Sequence, residues 1–381
     1  MSSVRHAPFS VYKGSQMKER RTVLFVGFKR HSSILIGGGI ANQRCMKALR
    51  TLFGPENVGE HYILDEAEGR SLLSYAYAVP LFLFDYHNGL TPKKVRQIVT
   101  KAKGYDYVFL STSVIGLIAK KLKEDGYQGK IITHYHNVES IYYDAQMPRW
   151  LPGRQVVVRS AAHNDEYGCK YSDKVLTLSQ RDSDYLKKKY GRGADIICSV
   201  AMEDKFQPVD KHTLTGQQPT CLFIGAYSKP NNDGVLFFVN EVMPHVNVRF
   251  RVVGRNMRQL KDEHKCMKDI EVVSDALDLR PYFEDADFMI LPIFSGSGMK
   301  IKTCESLMYG KNILGSDESF EGYTLDTDKV GGRCNTAAEY INRINQFAAQ
   351  PIPKFNSYSR DIFLKYHSAE RYNADLSTVF V

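Results

Sequence analysis

The chain has 381 residues, 43% of them hydrophobic and 24% charged, a balance of ordinary globular proteins that excludes a disordered, collagenous or disulfide-scaffold chain. Its length suggests about two to three domains. The net charge of +9 suits a solvated surface, an acidic small substrate or an anionic membrane; nucleic acid is the weakest partner, since no Lys/Arg run reaches five consecutive residues and no nucleic-acid module signature stands in the chain.

Met1 to Arg21 reads as an irregular polar arm without the apolar run of a secretory signal. Thr22 to Phe28 is a short, continuously apolar run, as in a strand covered on both faces. Ile34 to Gly39 then leads into a helix over Ile40 to Phe53, where Met46, Leu49 and Phe53 recur at helical spacing and Gly54-Pro55 stops the element. Leu72 to Phe84, the longest apolar stretch, contains Pro80 and is too short for a bilayer core, which needs about 20 residues. It suits a buried strand or helix better than a lipid contact. Strands follow at Tyr107–Leu110, Lys130–Tyr135, Lys174–Leu178 and Ala194–Cys198, with a helix ending near Gly126.

Apolar periodicity stops from Ser199 to Pro219, a polar stretch that reads as a linker. Strand–helix alternation restarts at Cys221–Gly225, Val248–Val253, Glu271–Val273, Phe288–Leu291 and Asn312–Leu314. Two such blocks predict an α/β protein of two Rossmann-like domains, 22–200 and 220–356, facing a cleft and joined by a linker at 201–219. The seven cysteines (45, 169, 198, 221, 266, 304 and 334) stand singly, which reads as reduced cytoplasmic thiols.

Phe294 to Gly310, FSGSGMKIKTCESLMYG, carries the clearest chemistry. A buried strand leads into a Ser/Gly loop, and a helix is expected to run from near Gly298 to Gly310. Loop N–H groups and a helix N-terminus favour an anion. Lys302 and Glu305 share a helix face, a cation for phosphate and a carboxylate for ribose hydroxyls. The residues alone also fit an ordinary strand-to-helix turn with a surface Lys–Glu pair.

At this window the chain resembles the retaining GT-B glycosyltransferases of family four. Glu305 matches the second Glu of that family's signature; the first falls at Ser297, where this chain departs. Gly37-Gly38-Gly39 is similar to the family's glycine loop, under the donor diphosphate and beside the acceptor. His134-Tyr-His136-Asn-Val-Glu139 resembles its His-Asn or His-Asp element, with His136 at the position that touches the donor sugar. Without the family, His136 reads as a core histidine, and His134-x-His136 as a metal pair lacking a third ligand at useful spacing. Glu166 to Ser179 matches the segment before the linker, and Phe223 to Asn231 the first strand after it. Many relatives carry an Arg and a Lys there for diphosphate; this chain has Lys229 alone, shifted in position. Glu284 to Pro292 resembles the acidic cap before a buried strand, where Asp287 is expected to cap the preceding helix and not to bind metal.

The resemblance implies transfer of a sugar from a nucleotide-diphosphate donor, with retention of configuration and without metal, to a glycan or lipid-linked oligosaccharide. It implies Lys302 and His136 as catalytic residues and Gly38, Gly39, Lys229, Ser297, Gly298, Met299, Lys300 and Glu305 as donor-binding. No cofactor beyond the nucleotide sugar is expected, and the protein is placed in the cytoplasm, with its charge suited to peripheral contact with an anionic membrane. As in similar proteins, residues 357–381 are expected to form a helical segment that crosses back to the first domain. A nucleotide-sugar epimerase of the same architecture, or a silent nucleotide-sugar-binding protein, remains the alternative.

Overall fold

The structure is a computed structural model that describes residues 21–29, 37–64, 80–87, 89–208, 218–296, 298–350 and 353–380. Ser297, the arm at 1–20 and much of the predicted linker lie outside them. The first half contributes strands β1 (Val23–Lys29), β2 (Val58–Leu64), β3 (Tyr107–Leu110), β4 (Lys130–Tyr135), β5 (Lys174–Thr177) and β6 (Ile196–Ile197). They form one parallel sheet in the order β2-β1-β3-β4-β5-β6. The connecting helices are α1 (Gly37–Phe53), α2 (Pro92–Ala102), α3 (Leu117–Glu124), α4 (Glu139–Gln146), α5 (Arg154–Tyr171) and α6 (Gln180–Tyr190).

β1 shows why its sequence is apolar throughout. Val23 and Phe25 enter a core with α1 residues Cys45, Met46 and Leu49, whereas Leu24 and Val26 enter the opposite core with α2 and α3. Alternate side chains face opposite sides, and helices cover both.

The second half repeats this plan with β7 (Thr220–Ile224), β8 (Arg249–Gly254), β9 (Glu271–Ser274), β10 (Phe288–Leu291), β11 (Asn312–Gly315) and β12 (Gly331–Arg333), ordered β12-β11-β10-β7-β8-β9 and parallel throughout. Its helices are α7 (Lys229–Phe237), α8 (Met257–Glu263), α9 (Arg280–Asp285), α10 (Ile301–Met308), α11 (Asp317–Phe320), α12 (Thr327–Val330) and α13 (Ala337–Ala349). Strand order reverses between β1 and β3 and again between β7 and β10, so each sheet opens a crevice at the carboxyl ends of those strands.

The chain ends on α14 (Ser357–Ile362) and α15 (Ala369–Ser377). Ile362 and Phe363 join the core of the second sheet, while Tyr372, Leu376, Val379 and Phe380 join that of the first. One short segment thus packs on both halves. No helix among the described residues is long and apolar enough to cross a membrane.

Three sequence expectations need correction. α10 begins at Ile301, not near Gly298, because Gly298 takes φ +64° and Lys300 is extended. Asp287 does not cap the helix before it: its carboxylate accepts from Thr220 N at 2.7 Å and pairs with Lys354 at 3.1 Å, which ties the starts of β10 and β7 together. Of the Leu72–Phe84 stretch, residues 80–83 are helical and Phe82 is buried, but Leu83 and Phe84 are 64% and 72% exposed. The expectations also omitted β2 and α2. β2 is a half-buried edge strand of mixed polarity and lacks an apolar run. α2 has a Thr91 cap, Pro92 at its start and a buried stripe of Val95, Ile98, Val99 and Ala102, a pattern that reads as helix.

Candidate active site

The crevice of the second sheet lies between the carboxyl ends of β7 and β10, and α10 points its first turn into it. Lys302, in that turn, donates a hydrogen bond to Asn231 Oδ1, and its Nζ sits 4.5 Å over the Phe223 ring. A Cβ at Gly225, just past β7, would come within 3.0 Å of the same Nζ, so a glycine there lets the amine close on the strand end. Burial lowers the Lys302 pKa to about 7, with Lys300 adding to the effect and Glu305 opposing it. Burial also raises Glu305 to about 7, against Lys302 and Lys205.

The loop before α10 is braced from several sides. Lys300 Nζ donates to Gly298 O at 2.8 Å and pairs with Glu318 at 2.6 Å. Tyr323 OH donates to Lys300 O at 2.7 Å, and Thr303 Oγ1 to Ser319 O at 2.6 Å. The first domain meets this loop directly. A Cβ at Gly298 would stand 2.5 Å from Asn137 Oδ1 and 3.3 Å from His136 O. Arg181 of α6 reaches across to Glu318 at 3.2 Å and Glu321 at 3.3 Å. Glu318 therefore joins a cation from each domain.

His136 follows the carboxyl end of β4. It is buried beside His134, with ring centroids 4.7 Å apart, and its Nε2 has no hydrogen-bond partner. Burial and then the Arg44 charge lower its pKa to about 3, which keeps the imidazole neutral. His134 is lowered by burial, His136 and Arg44.

The structure thus brings together Lys302, Glu305, Lys300, Gly298 and His136. Gly38 and Gly39 fall in the first turn of α1, after β1 at the switch point of the first sheet. Lys229 instead stands at the start of α7 with its side chain 84% exposed, paired with Asp233 at 2.7 Å. Met299 packs into the core under the loop, against Gly322.

Sequence reasoning missed Arg44. Its guanidinium lies 4.7 Å over the Tyr372 ring and donates to Ala201 O, while Nε is buried without a partner. Its charge reaches His136 in the first domain and Cys304 and Tyr323 in the second. A signal was present: Arg44 falls between Ala41 and Ala48 on the helix stripe that carries buried Cys45, a position for an apolar residue.

Residues 218–348 match the family model described as glycosyl transferases group 1. No curated protein matches the chain. Among solved structures it is similar to HepE of Anabaena in complex with UDP-glucose, with TM-score 0.62, 12% identity, and coverage of 93% of this chain and 99% of that one. It is also similar to the lipopolysaccharide outer core galactosyltransferase WaaB in its apo form, with TM-score 0.59, 10% identity, and 94% and 99% coverage. A trehalose-6-phosphate synthase, studied with bisubstrate glycomimetics for glycosyltransfer with retention, gives TM-score 0.58, 11% identity, and 93% and 98% coverage. The likeness establishes the fold, a two-domain α/β protein of the GT-B kind.

Proposed function

We propose that this protein is a retaining, metal-independent glycosyltransferase that moves a sugar from a nucleotide-diphosphate donor to a glycan or lipid-linked acceptor. The observation that carries the reading is the placement of Lys302: a cation at the switch point of the second sheet, held by Asn231 and Phe223. It lies within the segment that matches the glycosyl transferase model. The Gly298 loop beside it abuts His136 and Asn137 of the other domain. HepE binds UDP and UDP-glucose, which supports a nucleotide sugar here. The glycosyltransfer with retention ascribed to the trehalose-6-phosphate synthase supports the stereochemistry.

The chemistry follows from charge. As the bond from the anomeric carbon to the diphosphate breaks, its electron pair passes to the diphosphate oxygen. Protonated Lys302 and the N–H groups at the start of α10 face that charge, and one such preorganised donor is worth about 3 kcal/mol in the transition state. The acceptor hydroxyl bonds to the same face of the anomeric carbon, and its proton passes to the departing phosphate oxygen. No side-chain base is then needed. Neutral His136 exchanges hydrogen bonds with a sugar hydroxyl without bringing a competing positive charge. Glu305 accepts from the ribose hydroxyls, and with Ser297 in place of a Glu the sugar is held by fewer carboxylates. The reading places the enzyme in the cytoplasm. Its +9 charge and exposed Leu83 and Phe84 suit peripheral contact with an anionic membrane.

Incubation with a panel of nucleotide sugars tests the proposal. Release of nucleoside diphosphate, with the sugar moved to an acceptor in retained configuration, supports it. Interconversion of the sugars would make the protein an epimerase. Tight binding without turnover would make it a silent binding protein.

A further inference from the structure

His134 and His136 lack a third ligand nearby in sequence, but the fold supplies one. Cys45 of α1 lies with Sγ 3.5 Å from His134 Nδ1. That sulfur and one ring nitrogen of each histidine all fall within 4.8 Å of one another. Strand geometry explains the pair: residues 134 and 136 share one face of the chain as it leaves β4, while Tyr135 points away to donate to Asp165 O. Cys45 and His134 are fully buried and His136 is 9% exposed. The Nε2 atoms of both histidines are buried and have no hydrogen-bond partner. Buried polar atoms are nearly always paired, so the orphaned Nε2 of His136, beside a thiol and the Nδ1 of a second imidazole, calls for an occupant.

We propose that Cys45, His134 and His136 bind one thiophilic divalent cation of the Zn²⁺ class, entering through the interdomain cleft.

One sulfur and two imidazoles are a zinc donor set, with a fourth position left for water. They exclude Mg²⁺ and Ca²⁺, which require oxygen ligands. In a tetrahedral site with ordinary zinc bond lengths, ligand atoms stand about 3.3–3.8 Å apart; the Cys45–His134 distance already falls in that range. The Cys45 thiol releases its proton to solvent on binding. Tyr372 OH, 2.9 Å from Sγ, is placed to donate to the thiolate that forms, the kind of outer contact that steadies a metal ligand. Arg44 opposes the ion, since it neighbours Cys45 on α1 and its guanidinium lies 4.7 Å over the ring of Tyr372, whose OH touches the Cys45 sulfur. The site is therefore weaker than a structural zinc site, and its metal exchanges. Of the three, His136 is the least buried, and its backbone carbonyl lies beside the Gly298 contact at the meeting of the two domains.

A consequence rests on the transferase reading. His136 cannot hold the ion and serve the donor sugar with the same imidazole, so occupancy inhibits transfer. The ion is an inhibitor and takes no part in catalysis.

The site is tested on the full chain, dialysed against chelator and titrated with Zn²⁺ against a chromophoric chelator, with no nucleotide sugar present. One equivalent is expected to bind with Kd of about 1 μM or tighter. Co²⁺ in its place should show a thiolate charge-transfer band and the intense visible bands of four-coordination. Cys45→Ser should weaken binding by at least about 30-fold and abolish the charge-transfer band. Cys266→Ser, at the exposed thiol, should retain both. Absence of one-equivalent binding, or binding and a band unchanged in Cys45→Ser, would overturn the site. If Cys45→Ser does not fold, the wild-type cobalt spectrum decides: no charge-transfer band, no site. The titration reads the site whether or not the protein transfers sugar. In a separate turnover assay, zinc should inhibit over the same concentration range as it binds. Binding without inhibition would overturn the regulatory consequence.

Discussion

Lys302 and Glu305, one turn apart on α10, are driven towards neutrality from opposite sides: burial lowers the amine to about 7 and raises the carboxyl to about 7. Lys302 spends its hydrogen bond on Asn231 rather than on Glu305. A pair that is desolvated yet not joined is held ready for partners from outside. A diphosphate would restore the cation, and ribose hydroxyls would satisfy the carboxylate.

The two residues should separate in kinetics. Lys302 faces charge that grows during reaction, whereas Glu305 holds hydroxyls whose contacts barely change. Loss of the first lowers kcat and loss of the second raises KM. Lys302→Ala should cut kcat by roughly 10²–10³-fold. Glu305→Gln should act on donor KM, losing about 1–2 kcal/mol of charge-assisted hydrogen bonding. Steady-state kinetics at saturating acceptor, with circular dichroism to verify folding, check this. A kcat for Lys302→Ala within about threefold of wild type would remove α10 from the leaving-group site.

The same pair sets a pH profile. In the free protein Glu305 gains its proton as pH falls through about 7, and Lys302 loses its proton as pH rises through about 7. Donor kcat/KM should therefore be bell-shaped with its maximum near neutrality. Nucleoside diphosphate binding above pH 7 should take up a proton, because the bound anion favours charged Lys302. Calorimetry in buffers of different ionisation enthalpy measures that uptake; a buffer-independent enthalpy at pH 8 would contradict it.

Gly298 should tolerate no side chain. At φ +64° a Cβ is strained, and it would stand 2.5 Å from Asn137 Oδ1 in the other domain. Gly298→Ala should cost about 1 kcal/mol locally and keep the loop off His136, lowering kcat/KM at least about tenfold. Small-angle scattering should show a more open molecule with unchanged secondary structure. Wild-type activity would mean that this contact is not needed in the working form.

Most of the fold was legible because buried parallel strands must be apolar on both faces; Phe288–Leu291 and Lys130–Tyr135 stand where the runs put them. β2 was not, since an edge strand spelled VGEHYIL has no such run. Within the site, Lys302 and Glu305 were readable from helix spacing, and His136 from its resemblance to a known element. Cys45 was not, because its partners lie on β4 and α15 and meet α1 only through packing; Arg44 left a trace in its place on an apolar stripe, but its partner Tyr372 lies on α15. Lys229 was singled out by sequence neighbourhood alone; its exposed side chain pairs with Asp233 on the same helix.

Stability should report a second strained carboxyl. Burial raises Glu139 to about 8, with Asp165 adding to the shift, although Thr112 OH donates to it at 3.2 Å. The folded state therefore holds a proton that the unfolded state loses near the ordinary Glu value, and stability falls as pH rises from that value to about 8. Glu139→Gln keeps the hydrogen-bond acceptor without the charge. It should be more stable than wild type at pH 8 by about 1–3 kcal/mol, with the difference vanishing towards pH 4. Urea unfolding at both pH values measures it, and a difference independent of pH would refute the assignment.

Chelation should leave transfer intact. The acidic pairs that could hold a catalytic Mg²⁺ or Mn²⁺ already serve the fold. Asp285 pairs with Arg251 at 2.6 Å, and Asp287 accepts from Thr220 N at 2.7 Å. Asp182 accepts from Ser179 Oγ at 2.9 Å, and Asp326 caps α12 by accepting from Asp328 N at 3.0 Å. The charge that a metal would neutralise is instead met by Lys302 and the amides of the α10 N-terminus. Turnover in EDTA should equal that in buffer alone, or exceed it where traces of zinc occupy Cys45, His134 and His136. Loss of turnover in EDTA, restored by Mg²⁺ or Mn²⁺, would show that one of these carboxylate pairs leaves its structural partner to carry a metal, and that Lys302 does not suffice for the leaving group.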